Sequence, residues 1–402
     1  MGASISCTKR FVGVLRKGLL YSILRATIKF NFSGDKQMKK SLLALAVLAS
    51  AAGAANAASS VTLYGRVDVG YEKWSGSSLT QAGAGETRLG IKGQEDLGNG
   101  LAATFQLEGR FDADTGAKTS GKDFFDREST VGLKGNFGHV RFGRSKSAME
   151  RALGDYAPGE RVATAFDPYS SNTRHSNGMF YDFAMNGFNF GFDVTTKGGA
   201  TGNTNEGADG QKVGYGIHAG YQVGGFRVNA AYQADKNGTG INSYNTATVG
   251  QNVSSVTPTP LSSTGENLTF GSQNEWGLGM AYKYKMVEFG ATYARAESAS
   301  NAKVTYALLD SNNNIAALSS VTGKQRLTTL GAYITADVTS NDSVYARYLE
   351  KRGGGTLDGK AKVYALGYSH ALSKRTSIYA DVARYKNDDS TTAYDIALRH
   401  AF

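Results

Sequence analysis

The last nine residues of the chain, Tyr394–Phe402 (YDIALRHAF), alternate between apolar and polar side chains and end on an aromatic residue. Successive side chains of an extended strand point to opposite faces, so Tyr394, Ile396 and Leu398 share one face while Asp395 lies on the other. An apolar face opposite a polar one is typical of outer-membrane β-barrels, in which lipid-facing and lumen-facing residues alternate. This stretch therefore predicts a strand of a membrane barrel.

The same alternation recurs along the chain, and five segments illustrate it: Val61–Val69, Phe188–Asp193, Phe226–Gln233, Trp276–Lys283 and Thr329–Val338. Their period of two indicates strands with one apolar and one polar face. A secreted β-sandwich would show the same pattern, so the alternation alone leaves both folds open. Aromatic residues at strand ends favour the barrel, because they suit the girdles at the two membrane interfaces. The residues expected in these girdles are Tyr71, Trp74, Tyr221, Tyr293 and Tyr348.

The N-terminal region has the parts of a secretory signal. Met38 is followed by two lysines, by the apolar run Leu42–Ala49 and by small residues that end at Ala57. This order predicts a signal peptide over residues 38–57, cleaved after Ala57, and an exported chain of residues 58–402. Residues 1–37 are basic and lack a long apolar run, so we interpret them as an over-extended start with Met38 as the initiator. An unusually long positively charged region of the signal is the alternative.

Removal of residues 1–57 changes the charge argument. They contain nine of the 44 Lys and Arg residues and one of the 34 acidic residues, so the net charge falls from +10 to +2. A chain so close to neutral has no net basic field for phosphates, which argues against a nucleic-acid partner. The only cysteine, Cys7, is also lost. The exported chain therefore has no disulfide and no thiolate metal site.

The exported chain is also too polar for membrane-spanning helices, which need about 20 consecutive apolar residues. A closed barrel is the remaining structure whose backbone groups are all paired within a bilayer. At roughly 21 residues per strand and connection, the exported chain predicts about sixteen strands. Short connections such as Asn136–Gly138 and Val223–Gly225 are expected on the periplasmic side, and long ones such as Asp112–Asp123 and Asn237–Gly271 on the outer side.

Five stretches carry a resemblance to a known family: Leu63–Tyr71 (LYGRVDVGY), Thr87–Leu101 (TRLGIKGQEDLGNGL), Ser129–Gly143 (STVGLKGNFGHVRFG), Leu372–Ala380 (LSKRTSIYA) and Arg399–Phe402 (RHAF). In combination they resemble the general Gram-negative porins of the β-proteobacterial branch. The resemblance implies an all-β, sixteen-stranded antiparallel transmembrane barrel with an inward-folded constriction loop. It also implies a homotrimer in the outer membrane and a passive diffusion channel for small hydrophilic solutes and ions, without a cofactor.

In this family, arginines on the barrel wall face acidic residues on the inward loop. The resemblance places the wall arginines at Arg88, Arg127 and Arg174. The alternation of side chains supports a lumen position for Arg88, because Leu89 and Ile91 then face lipid. It fits Arg127 less well, since an inward Arg127 would place Val131 inside too. An ordinary lumen side chain with a local partner is the alternative for each arginine.

The long segment Ser145–Asn172 has no alternating period and resembles the constriction loop. Its acidic residues are Asp155, Glu160 and Asp167, although the family's Pro-Glu-Phe-Gly-Gly motif is absent. Asp167 has a second interpretation, as a turn residue before Pro168. Arginines opposite carboxylates across a narrow gap create a transverse field, and the charges that line the pore set its ion preference. We expect a weak preference for anions.

Catalytic motifs are missing. The five histidines are scattered without an HExxH pair, and no Gly-x-Ser-x-Gly sequence occurs, so the chain is not expected to be an enzyme or to bind a metal. His175, next to Arg174, could respond to pH, but a solvated lumen histidine is the commoner case. The alternative function is a structural or adhesive barrel that binds partners through its outer loops. An adhesin needs no inward loop, so that loop distinguishes the two.

The resemblance also implies partners. Phe402 matches the terminal residue that serves the family as a signal for the barrel-insertion machinery. Outer-membrane lipid and lipopolysaccharide are expected around the barrel. Small hydrophilic solutes and ions are expected inside it.

Overall fold

The computed structural model describes residues 59–83, 87–119, 122–164, 166–197, 212–236, 259–260, 272–298, 302–309, 315–355, 359–387 and 390–402. The predicted leader and most of the long connection between residues 237 and 271 lie outside these ranges.

Sixteen long strands, numbered here in chain order, form the barrel. Their bounds are Ser60–Trp74, Arg88–Gly98, Leu101–Asp112, Glu128–Gly135, Gly138–Lys146, Arg174–Met185, Phe188–Lys197, Val213–Val223, Phe226–Lys236, Ser272–Tyr284, Val287–Ser298, Gln325–Asp337, Asp342–Gly355, Lys360–Ala371, Thr376–Lys386 and Ser390–Ala401.

Shorter elements lie between the barrel strands. The strand Thr80–Gly83 folds back onto strand 1, and Ala117–Lys118 pairs with strand 3. A separate sheet comprises Thr259–Pro260, Ala302–Leu309 and Ile315–Gly323. The helical elements are the α-helix Ala148–Leu153 and the 3₁₀ turns Gly154–Tyr156 and Arg161–Ala163. Within the described ranges, no helix has the length and apolar character to cross a membrane.

The barrel closes where strand 1 pairs with strand 16. Their antiparallel register runs from Arg66 opposite Ala401 to Trp74 opposite Ala393. The first part of strand 1, from Ser60 to Arg66, pairs with strand 2. The sequence prediction of a closed, sixteen-stranded antiparallel barrel is confirmed.

Side chains alternate between the outer surface and the lumen as the sequence predicted. Leu63, Ile396 and Leu398 are more than half exposed on the outer surface, whereas Asp68 and Asp395 on the same two strands are buried inside. The buried apolar residues are therefore not a central core. They lie where an inward chain segment packs against the barrel wall.

One predicted girdle residue is on the wrong face. Trp74 shares the lumen face of strand 1 with Asp68 and Glu72, and its ring stacks on Tyr385 with 5.4 Å between centroids. Tyr71, three residues earlier in strand 1, is half exposed on the outer surface as expected. Trp74 stands at a strand end, but its even spacing from Asp68 and Glu72 places it on the polar face of the strand.

Tight turns join the strands at the end of the barrel where strand 1 begins and strand 16 ends. Strands 2 and 3 are linked by Asn99–Gly100 and strands 6 and 7 by Asn186–Gly187, and all four residues have positive φ between 51° and 85°. Asn-Gly is the preferred pair for such hairpins, because both residues tolerate the left-handed region. The opposite end, called the outer end below, carries the long connections.

Candidate functional site: a constriction inside the barrel

Residues 147–173 join strands 5 and 6 and fold into the lumen; they are called the inward segment. The segment begins with the helix Ala148–Leu153, whose first turn is capped by the Ser147 hydroxyl, which accepts the Glu150 N–H at 3.4 Å. The predicted start at Ser145 is wrong by two residues, because Ser145 and Lys146 still pair with strand 6.

The helix packs against strands 8, 9 and 10. Met149 and Leu153 are completely buried there. Glycines on the lumen face of strand 10 make this close approach possible. A β-carbon on Gly277 would lie 2.5 Å from Leu153 Cδ1, and one on Gly279 would lie 2.9 Å from the Tyr156 ring. Wall glycines thus form the surface on which the segment rests.

The second half of the segment packs against strands 13 to 15. Val162, Ala163 and Phe166 are buried against a wall that includes Leu349 and Val363. Both halves of the inward segment therefore lie along the inner wall and narrow the lumen.

Wall carboxylates hold the backbone N–H groups of the segment. An irregular backbone away from water must have its polar groups paired. Glu275 accepts the N–H groups of Ser170 and Ser171 at 2.8 and 2.5 Å, Asp235 accepts that of Asn172 at 3.0 Å, and Asp395 accepts that of Val162 at 3.0 Å.

Wall cations hold the carbonyl oxygens of the same stretch. Arg347 donates to the carbonyl oxygens of Ala163, at 3.0 Å, and Phe166, and Lys351 donates to that of Tyr169 at 2.8 Å. All these donors and acceptors are buried. The backbone between residues 162 and 172 is thus fixed by anionic groups on its amides and cationic groups on its carbonyls.

An arginine row lines the opposite part of the lumen. Arg66, Arg88 and Arg110 stand directly opposite one another on strands 1, 2 and 3. Like charges at directly opposed positions are destabilising. Nearby carboxylates offset this cost. Arg110 Nε lies 2.9 Å from Asp126 Oδ2, and Arg88 Nε lies 3.7 Å from Glu108 Oε2.

Arg127 joins the row through Glu108, which accepts a hydrogen bond from its Nε at 2.5 Å. The alternation of side chains along strand 4 does not conflict with a lumen position for Arg127, because Arg127 precedes this strand, which begins at Glu128. Val131 lies on the outer surface with 61% of its area exposed. The strand alternation begins at Glu128 and therefore does not apply to Arg127.

Arg174 is buried at the start of strand 6, and the charged groups that act on it include Arg127, Glu128 and Glu150. Arg144 lies in the same region and donates to the Asp126 carbonyl at 2.7 Å. Arg88, Arg127 and Arg174 therefore lie in one sector, which strands 1 to 6 build. We call it the arginine wall: Arg66, Arg88, Arg110, Arg127, Arg144 and Arg174, with Glu108, Asp126 and Glu128.

The three acidic residues of the segment do not all face this wall. Glu160 accepts two hydrogen bonds from Arg399 of strand 16, at 2.6 and 2.5 Å, and Arg399 also binds Asp68. Glu160 therefore lies at the closing seam of the barrel. Asp167 is exposed and close to Arg347 and Lys351, whereas Asp155 is exposed in the first half of the segment.

Sequence reasoning missed several charged residues of the constriction. Arg66 was available, because it shares the polar face of strand 1 and registers with Arg88 once strands 1 and 2 are paired. Arg110 follows from the next pairing. The role of Arg399 at the seam has no local signal, since its partner Glu160 is distant in sequence.

His175 is not a solvated lumen side chain, so that interpretation is wrong. It is fully buried, with Nδ1 2.6 Å from Asp193 and Nε2 2.7 Å from Asp235. Arg151 on the helix binds Asp193 as well, at 2.7 Å, and Asp182 at 2.6 Å. The contacts of Arg151 fasten the helix to strands 6 and 7, and His175 links strands 6, 7 and 9.

Tyr169 adds a tether within the segment. Its hydroxyl donates to Glu150 Oε2 at 2.6 Å. Complete burial, together with the nearby Asp167 and Glu150 carboxylates, raises the pKa of Tyr169 well above its ordinary value. The phenol therefore stays protonated and continues to donate.

Comparison with protein families gives one match over most of the chain: the model described as Gram-negative porin aligns with residues 44–390. Among relatives, an outer membrane porin of Delftia acidovorans, protein 32, is 34% identical over 382 residues, which cover 88% of this chain and 92% of the relative. An outer membrane porin of Bordetella pertussis is 28% identical and covers 91% of this chain and 100% of the relative.

Solved structures share the fold. The anion-selective porin from Comamonas acidovorans superposes with a TM-score of 0.61 at 22% identity, over 86% of this chain and all of that chain. The trimer form of OmpT, an outer membrane protein of Vibrio cholerae, gives a TM-score of 0.60 at 15% identity, with 86% and 100% coverage.

Proposed function

The chain belongs to the Gram-negative porin family, and we propose that its arginine wall gives the pore a weak preference for anions. As an outer-membrane porin it is a channel rather than an enzyme. It carries small hydrophilic solutes and ions across the outer membrane by passive diffusion.

The observation that carries the proposal is the imbalance of charge on the arginine wall. Among the described residues, the arginine wall contains six arginines and three carboxylates, and Asp123 and Glu150 also act on Arg144 and Arg174. Three of the arginines stand in direct cross-strand opposition. Arginine keeps its charge even when other arginines crowd it, since its pKa lies above about 12. A lining with more positive than negative charge raises the local concentration of anions and lowers that of cations.

The carboxylates of the inward segment offset this charge only in part. Glu160 is bound by Arg399, and Asp167 lies near two cations. Asp155 is exposed, so it is the segment carboxylate best able to attract cations. The expected preference is therefore weak. The fold neighbour described as an anion-selective porin agrees with this sign.

A structural or adhesive barrel is the alternative from another class. Such a barrel gains nothing from a segment of 27 residues that narrows its lumen. Here that segment is tethered by three carboxylates and two cations of the wall, at the positions of Glu275, Asp235, Asp395, Arg347 and Lys351. The inward segment therefore supports conduction through a narrowed pore.

The homotrimer is a further part of the proposal, with the trimer form of a fold neighbour in its support. Phe402 is proposed as the signal for the barrel-insertion machinery, and lipid and lipopolysaccharide as the surrounding partners. The purified protein in a planar bilayer tests the main proposal. Under a salt gradient, the sign of the zero-current potential distinguishes an anion-preferring pore from a cation-preferring one.

A further inference from the structure

A cavity of about 310 Å³ lies in the lumen beyond the arginine wall, toward the barrel end that carries the tight turns. Lys92 lines it, two lumen positions along strand 2 from Arg88. Strands 1 to 5 all contribute to the lining, and most of the contributing side chains are polar. They include Lys92, Gln94, Gln106, Thr130, Lys134 and Arg141. We call this space the lysine cavity.

The two lysines of the cavity lack a negative partner among the described residues. Lys92 and Lys134 are both exposed, and neither forms an ion pair there. The Lys92 ammonium group lies over the Tyr64 ring instead, 5.0 Å from its centroid. That contact orients the ammonium group but brings no carboxylate to it, so its positive charge remains available.

Two carboxylates lie between the cavity and the arginine row, and arginines hold both. Arg127 Nε lies 2.5 Å from Glu108 Oε1. Glu128 stands directly opposite Glu108 on strand 4, and Arg174 and Arg141 act on it. These two acidic groups are therefore engaged by guanidinium groups and do not neutralise the lysines.

Two further carboxylates lie nearer the tight turns. Arg151 binds Asp182 at 2.6 Å, and Asp96 accepts a backbone N–H at 2.8 Å at the end of strand 2. Undescribed residues add little negative charge here, because residues 1–58, which precede strand 1 at this end, contain one acidic residue and nine Lys and Arg. The other undescribed stretches belong by sequence to the inward segment or to connections at the outer end. The two lysines are therefore available to an anionic solute.

Neutral hydrogen-bond donors lie beside the lysines. Gln106 Nε2 donates one amide hydrogen to the Tyr64 hydroxyl at 2.7 Å and has a second one, and Thr130 adds a hydroxyl group. Ammonium, amide and hydroxyl donors suit a phosphate group, whose oxygens accept hydrogen bonds from several directions. A planar carboxylate is matched best by a guanidinium fork instead, and the Arg141 guanidinium is occupied by Asp182.

Charge and size narrow the ligand further. A phosphate monoester carries a charge of about −1.5 to −2 at neutral pH, which matches the two lysines, whereas a single carboxylate carries one negative charge. The cavity volume lies at the lower end of the range of about 300–1,000 Å³ for small-molecule sites. A phosphate group with a polar body no larger than a sugar is therefore the best match.

We propose that the lysine cavity binds the dianionic phosphate group of a small phosphate ester or of inorganic phosphate. The inference deepens the proposed function and rests on it, because a solute reaches the cavity through the open pore. The arginine wall raises the local concentration of every anion, and the lysine cavity then retains those that carry two charges on one group. Binding at the cavity thus selects among the anions that the constriction admits.

Single-channel recording of the folded, exported protein in a planar bilayer tests this proposal, with glucose 6-phosphate as the probe in about 0.1 M potassium chloride at constant ionic strength. The probe should lower the chloride current in a saturable way. Lys92→Gln and Lys134→Gln should each raise the half-blocking concentration about fivefold, and the double variant roughly 25-fold, which is the upper range for exposed charge pairs. Lys374→Gln is the matched control, because Lys374 is an exposed lysine in the turn between strands 14 and 15, at the same end of the barrel but outside the cavity.

Comparison solutes identify the group that is bound. Glucose and acetate should each block far more weakly, because glucose lacks the phosphate group and acetate carries a single charge. Inorganic phosphate distinguishes the two sources of phosphate. Block by glucose 6-phosphate at a lower concentration assigns the cavity to a phosphate ester, and equal block by both assigns it to phosphate itself.

Heat-modifiable migration shows that each variant is folded before its current is recorded. An unchanged half-blocking concentration in the double variant, an equal increase in Lys374→Gln, or equal block by glucose or acetate would overturn the proposal. The zero-current potential in potassium chloride alone tests the arginine wall separately. A cation-preferring unmodified channel would contradict the anion preference, whereas block by glucose 6-phosphate that depends on both lysines would still support the lysine cavity.

Discussion

Phe402 and Gly65 exchange both of their backbone hydrogen bonds, each 3.1 Å long, and the Phe402 ring covers the α-carbon of Gly65. A β-carbon on Gly65 would lie 2.5 Å from Phe402 Cζ and 2.7 Å from the Arg88 carbonyl oxygen. Phe402 therefore packs against strand 1 at the end of the closing seam opposite the outer end. Barrel closure and the identity of the terminal residue are linked by this contact.

The first prediction concerns the contact between Gly65 and the Phe402 ring. Gly65→Ala should destabilise the barrel by about 1–3 kcal/mol, because the added methyl group overpacks the seam. Heat-modifiable migration should be lost at a lower temperature. The control is Gly354→Ala, since a β-carbon there would approach nothing closer than Arg326 Cβ at 3.9 Å. Equal melting of Gly65→Ala and the unmodified protein would contradict the prediction.

The second prediction concerns the terminal residue itself. Deletion of Phe402 removes the ring and both seam hydrogen bonds, so less folded barrel should accumulate in the outer membrane. Phe402→Tyr keeps the ring over Gly65 and should assemble far better than the deletion. Quantitative blotting of membrane fractions measures both, and normal insertion of the shortened chain would show that Phe402 is dispensable.

The third prediction concerns the tethers of the inward segment. Glu275→Gln replaces the charged acceptor of two backbone N–H groups by a neutral one, which should cost about 1–3 kcal/mol. The loosened segment should increase the current noise of single channels and lower the melting temperature. Glu297→Gln is the control, because that carboxylate is 45% exposed and pairs with Arg295 outside the segment. Quiet, thermally unchanged Glu275→Gln channels would mean that Glu275 does not hold the segment.

The fourth prediction separates the segment carboxylates. Asp155→Asn should shift the zero-current potential further toward anions, because it removes an exposed negative charge. Glu160→Gln should shift it less but should lower the melting temperature more, because Glu160 binds Arg399 at the seam. Larger selectivity changes for Glu160→Gln than for Asp155→Asn would reverse the assignment.

The fold was largely predictable because a strand with one lipid face has a strict period of two. That period gave the barrel and, with the chain length, the number of strands. The period does not predict the direction of a side chain that lies beyond the regular strand, as with Arg127. For Trp74, the period places the side chain in the lumen, although its position at a strand end suggested the outer girdle. The position of Arg88 in the lumen followed from the parity of Leu89 and Ile91.

The partners within the site were less predictable, since they depend on contacts between distant parts of the chain. Glu160 and Arg399 are 239 residues apart, and Arg161 reaches Glu72 across 89 residues. No local sequence pattern predicts such ion pairs. The burial of His175 between two aspartates likewise depends on strands 7 and 9, which supply Asp193 and Asp235.

Arg88→Ser tests the arginine wall directly, because it removes the central member of the row. The zero-current potential under a potassium chloride gradient should have the sign of weak anion preference in the unmodified protein. It should move toward cations in Arg88→Ser, with a larger single-channel conductance. At about 0.1 M salt the screening length is roughly 10 Å, so the difference should shrink as the salt concentration rises.

The most direct measurement is the zero-current potential of the unmodified channel and of the Arg66→Ser/Arg88→Ser/Arg110→Ser variant, both recorded under the same potassium chloride gradient. An anion-preferring sign that is abolished or reversed in the triple variant is the result that the account predicts. A cation-preferring unmodified channel, or a triple variant with unchanged potential and conductance, would contradict it.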